Sequence, residues 1–101
     1  MMTITQLEQT DVIEKDAVPT LHFPATDVLH SPAERQLRKR DAERATDLGN
    51  NYQGKLDIYF QTADGQSHRV YTTVWASTDE HLSLKAGTSL PLRAVTGFDF
   101  Y

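Results

Sequence analysis

The side chains able to do acid–base, nucleophilic or metal chemistry are few and scattered. His22, His30, His68 and His81 are the conventional groups that titrate near neutrality, and none stands in HxH or HExxH spacing. Cysteine is absent, which removes a disulfide framework, a thiolate metal site and a thiol nucleophile together. The histidines are therefore expected to be solvated surface groups, with no metal and no cofactor. Ser31, Ser67, Ser77, Ser83 and Ser89 lack a nucleophile-elbow pattern. Gly49 and Gly54 are not followed by the Lys-Ser or Lys-Thr that opens a phosphate-binding helix. Asp79 and Glu80 are adjacent, so on a strand they point to opposite faces and do not form a paired acid–base site. The expectation is a protein that is not an enzyme.

Two other groups of residues suit binding. Arg35, Arg38, Lys39, Arg40 and Arg44 crowd one short stretch, and Arg35/Lys39 and Arg40/Arg44 fall four apart, in line on a helix. They are the candidate anion-binding residues. Glu34, Asp41, Glu43 and Asp47 are interleaved with them, so a solvated face of mixed charge is the competing reading. Tyr59, Tyr71 and Trp75 form the second group: by strand parity they share a sheet face opposite Ile58, Phe60, Val70 and Val74. Left open, that face is a contact surface; covered by the helix or by the leader, with Leu37 and Leu48 the natural contacts, it is a second layer of core.

The elements that position these residues follow from local signals. Ser31-Pro32-Ala33-Glu34 places a capping hydroxyl, a proline at the first helical position and a capping-box glutamate in order. A helix of about 17 residues follows, with Gly49-Asn50-Asn51 as its left-handed stop. Its apolar stripe (Ala33, Leu37, Ala45, Leu48) is narrow, which predicts a helix laid across a sheet edge. Leu56, Ile58 and Phe60 alternate with polar neighbours, and Ala63-Asp64-Gly65 supplies a hairpin turn. A long strand is expected from Ser67 to Ser77, then His81–Lys85, a turn at Gly87, an edge strand holding Pro91, and a closing strand from Val95 to Tyr101 with Phe98 and Phe100 on one face. The predicted fold is mainly β with one N-terminal helix: a five-stranded antiparallel small barrel over residues 31–101.

Residues 1–30 differ in character. They hold five acidic residues against Lys15 alone, which accounts for the net charge of −4 of the 101-residue chain. Their apolar positions follow no regular period, and Pro19 and Pro24 interrupt any helix. A flexible acidic leader is expected, with two alternatives: Thr20-Leu21-His22-Phe23-Pro24 docking as an extended arm, and leader acids folding onto the helix arginines. No stretch approaches the roughly 20 apolar residues of a membrane span, so no membrane partner is expected, and the cysteine-free composition suits the cytoplasm.

The helix-then-five-strand order, Ile58-Tyr59-Phe60 running into Asp64-Gly65, the stretch Ala76–Leu84 and the approach Leu90–Val95 resemble the Sm-like, SH3-related small barrel over roughly residues 32–101. That family carries a glycine inside its bent second strand, where this chain has Tyr71-Thr72-Thr73, and its RNA-contacting residues have no counterpart to carry over. Thr72–Ala76, Leu84–Gly87 and Leu90–Leu92 are also similar to a group of short uncharacterised bacterial proteins, a likeness that implies no activity. Two functions follow as expectations. One is a non-catalytic protein-interaction or regulatory module that docks a protein or itself through Tyr59, Tyr71 and Trp75. The other is an RNA- or single-strand-binding barrel that uses the helix cations, with Tyr71 or Trp75 for stacking.

Overall fold

A computed structural model describes residues 11–100. In chain order it holds β1 (Asp11–Val12), a 3-10 turn (Lys15–Thr20), α1 (Pro32–Tyr52), β2 (Leu56–Gln61), β3 (Ser67–Thr72), β4 (Val74–Ser77), β5 (His81–Leu84), β6 (Ser89–Pro91), a 3-10 turn (Leu92–Ala94) and β7 (Val95–Asp99). The expected fold class is met at the level of a mainly β protein with one helix. Its strands form two small antiparallel sheets of three strands each, β3-β2-β7 and β4-β5-β6, and β1 adds two residues in parallel beside β3. Among the described residues no ladder joins the two sheets, so the expected five-stranded barrel does not close.

The period-2 pattern sorts side chains as expected in the first sheet. Ile58 pairs with Val70 in register, and both are fully buried with Leu56 and Phe60. The second sheet contributes Val74, Leu82, Leu84 and Leu90 to the same core, and Val95 enters it from β7. The single strand expected from Ser67 to Ser77 is instead two. The chain turns at Thr73, and its halves enter different sheets. Thr73 is buried, and its carbonyl accepts the Lys85 amide at 3.0 Å, so the break is satisfied by a hydrogen bond from beyond β5.

The helix begins as expected: the Ser31 hydroxyl accepts the Glu34 amide and Pro32 occupies the first turn. It ends later. Gly49 lies inside the helix, and Gln53 takes the left-handed stop at φ 53°. Gly49 serves packing instead, since a Cβ there would lie 2.0 Å from the Val74 carbonyl oxygen. The buried face is Arg38, Ala42, Ala45 and Gly49; of the expected stripe Ala45 is buried and Leu48 packs against the core, whereas Ala33 is exposed and Leu37 is 55% exposed. Small residues on that face let α1 approach β4 closely, while the larger Leu37 points to water.

Residues 11–30, expected to form a flexible leader, run along the two sheets. Val18 is fully buried, and Leu21 and Phe23 pack against the core. The expectation for residues 1–10, and for Tyr101, lies outside the described residues.

Candidate interaction surface

The outward face of the first sheet is built by strand register. Asp57 on β2 stands opposite Tyr71 on β3 and Asp99 on β7; one row along, Tyr59 stands opposite Arg69 and Gly97, and Arg69 is in register with Val12 on β1. Tyr59 and Tyr71 are therefore diagonal neighbours on adjacent strands, a placement from which side chains of that length can touch a shared ligand. Val12 and Tyr71 stand 63% and 53% exposed, a large amount for apolar side chains on a sheet.

Between them lies an open depression of about 400 Å³ lined by Val12, Asp57, Arg69 and Tyr71. Asp57, only 3% exposed, forms its floor, with Arg69 Nε 3.9 Å from the carboxylate. The Lys55 ammonium stands 5.8 Å from the Tyr71 ring centroid, within cation–π range. The surface thus combines apolar flanks, a phenol and charges of both signs.

Coverage by the helix does not occur here. α1 packs on β4 and β7, and Leu48 turns toward the core. Trp75 does not join the two tyrosines: it lies in β4, in the other sheet, where the register with β5 slips between Val74 and Ala76, and it is half-buried. The break at Thr73, which sends β4 into the second sheet, ends the parity that placed Trp75 with them. Sequence reasoning missed Val12, Asp57 and Arg69. The last two follow from the same alternation, whereas the two-residue β1 carries no pattern of its own.

The candidate anion-binding residues are dispersed by their partners. Arg38 is 7% exposed; it donates to both Asp27 oxygens at 2.8 and 2.6 Å and to the Val95 carbonyl at 3.0 Å. Arg35 Nε donates to the Leu29 carbonyl at 2.8 Å and lies 3.6 Å from Asp27. Lys39 meets Asp79 at 3.5 Å, and the Arg44 guanidinium lies 4.0 Å over the Phe100 ring. Arg40 is exposed. Hydrogen bonds from Arg38 hold the Asp27 carboxyl below its usual range; partial burial opposes this, while the Leu29 amide and the charges of Arg38 and Arg35 reinforce it. Arg38 is thus a buried structural cation and no part of a basic exterior, because Asp27 folds onto it from within the same chain.

His68 departs from the solvated role expected of it. It is buried with its ring 5.4 Å from Phe60, and its Nε2 lies 3.0 Å from the Thr62 hydroxyl. That hydroxyl donates its one hydrogen to Asp64 at 2.5 Å, which leaves its oxygen to accept a hydrogen bond from the ring. The Thr62 hydroxyl and the Gln66 amide hold the Asp64 carboxyl below its usual range. The chain of bonds fastens the β2–β3 turn. Among the described residues no three His, Asp or Glu side chains converge to hold a metal, and no helix is long and apolar enough to cross a membrane.

Comparison with known proteins supplies no further guide: no family model matches the chain, and no curated protein or solved structure is significantly similar to it.

Proposed function

We propose that this chain is a non-catalytic interaction module that docks a protein partner on the outward face of its first sheet, with Tyr59, Tyr71 and Arg69 as contact residues. The observation that carries this reading is the exposed pair Val12 and Tyr71 flanking a depression whose floor is charged. Tyrosine and arginine concentrate binding energy at protein interfaces because they bury large areas while keeping polar ends that can be satisfied. Trp75 belongs to this proposal only as a separate contact at the β4 slip. The order helix, β2, bent β3–β4, β5, β6, 3-10 turn, β7, with β7 paired to β2, supports reading the two sheets as halves of an open SH3-like or Sm-like barrel. A cytoplasmic setting is part of the same proposal.

The nucleic-acid alternative rests on Arg35, Arg38, Lys39, Arg40 and Arg44, and the internal partners of four of them weigh against it. Affinity capture with the full chain tests the reading. A protein retained by the wild type and released from both Tyr59→Ser and Tyr71→Ser supports it. Retention indifferent to both variants, or salt-sensitive retention of single-stranded RNA instead, overturns it.

A further inference from the structure

On the outward face of the first sheet, Gly97 lies within β7 directly opposite Tyr59. Its φ is not positive, and a Cβ built there meets no described atom within 4 Å. The neighbouring bulge, where Thr96 is the extra residue of β7, calls for glycine only in the left-handed conformation, which Gly97 does not take. Glycine inside a strand weakens it, so one that neither backbone nor internal packing requires marks the close approach of another surface. Tyr59, half-buried on the adjacent strand, thus stands beside a vacant notch.

The charges of the same face suit a copy of itself. Lys55 and Arg69 balance Asp57 and Asp99, although the chain as a whole carries −4. Register sets Arg69 on β3 and the exposed Asp99 on β7 at opposite corners of a rectangle, with Tyr59 and Asp57 between them on β2. Arg69 keeps 38% of its side chain exposed there. Neighbouring strands lie about 4.8 Å apart, and alternate residues about 6.8 Å apart along a strand. On those spacings, a two-fold axis that lays Arg69 of one copy on Asp99 of the other brings each Tyr59 within about 3 Å of the point above the other copy's Gly97. The same operation seats a ring in a notch and joins opposite charges, twice over. We propose that this face is a two-fold interface whose occupant is a second copy of the chain. The proposal rests on the docking face assigned above and names its partner.

Sedimentation velocity of the full chain across a concentration series reads the association. Wild type is expected to pass from monomer to dimer; a monomer throughout, up to about 1 mM, overturns the proposal. That result leaves the docking face to its own capture test with Tyr59→Ser and Tyr71→Ser. Gly97→Val is expected to unfold at equal or higher urea than wild type, yet to dimerise about tenfold or more weakly. Loss of stability in that variant, or dimerisation unchanged by it, overturns the proposal. Arg69→Glu and Asp99→Arg each set like charges together at both contacts, and each is expected to weaken the dimer about tenfold or more. Mixed one to one, the two variants restore opposite charges at both contacts and are expected to associate within about threefold of wild type. A mixture no stronger than either variant alone overturns the proposal.

Discussion

At the scale of single residues, the strongest polar commitment is Arg38. Its charge is withdrawn from water and balanced by Asp27, so neutralising Asp27 strands a buried guanidinium with the Val95 carbonyl. Removing one partner of a buried pair costs about 3–5 kcal/mol, and Asp27 retains some exposure, so Asp27→Asn is expected to lower stability by about 3 kcal/mol in urea unfolding. The pH dependence has a definite sign. The folded-state carboxyl titrates below its unfolded value, so its contribution is fully present above the ordinary aspartate range. It is lost as pH falls through the lowered folded value. Asp27→Asn therefore flattens the acid limb of the stability curve without abolishing it, because Asp64 is lowered in the same direction. Tyr71 is the opposite case. With its ring half in solvent, Tyr71→Ser is expected to change unfolding free energy by about 0.5 kcal/mol or less, so any loss of binding in that variant reports contact, not folding.

At the scale of elements, the close approach of α1 to β4 sets the geometry. Replacing an interior helical glycine by alanine ordinarily stabilises a helix by about 1 kcal/mol. Here the added methyl meets the Val74 carbonyl, so Gly49→Ala is expected to destabilise by about 2 kcal/mol or more, measured by thermal or urea unfolding. The β5–β6 turn carries a smaller strain: Ala86 and Gly87 have φ of 69° and 80°, and only the second is a residue that adopts such values freely. Asn tolerates that region better than Ala, so Ala86→Asn is expected to stabilise by about 0.5 kcal/mol. The start of α1 was legible because Ser31 and Pro32 act locally. Its end was not, because Gly49 was chosen by a neighbour distant in sequence. The division of the 67–77 strand at Thr73 was equally hidden, since neither glycine nor proline marks it and the carbonyl at the break is satisfied by Lys85.

At the scale of the whole molecule, the core is completed from outside the helix-and-strand unit. Val18 is as fully buried as Ile58 or Val70, although it precedes α1 and belongs to no sheet. Val18→Ala is accordingly expected to lower stability by about 2 kcal/mol, as measured by chemical unfolding of the full chain. That role was illegible because a 3-10 turn followed by an extended docked run has no single hydrophobic period, so the spacing of Val18, Leu21 and Phe23 looks random along the chain. Two of the five residues of the candidate surface were legible, because Tyr59 and Tyr71 obey strict alternation within one sheet. Trp75 was misplaced by carrying that alternation across a break. Arg38 left the expected basic group because charge spacing on a helix does not reveal which side meets Asp27, while Arg35, Lys39, Arg40 and Arg44 stay exposed. The most direct measurement is an amide chemical-shift map of the full chain titrated with a protein that it captures. The account predicts the largest shifts at Val12, Asp57, Tyr59, Arg69 and Tyr71. Shifts concentrated at Arg40 and Arg44 on α1, with the sheet face silent, would contradict it.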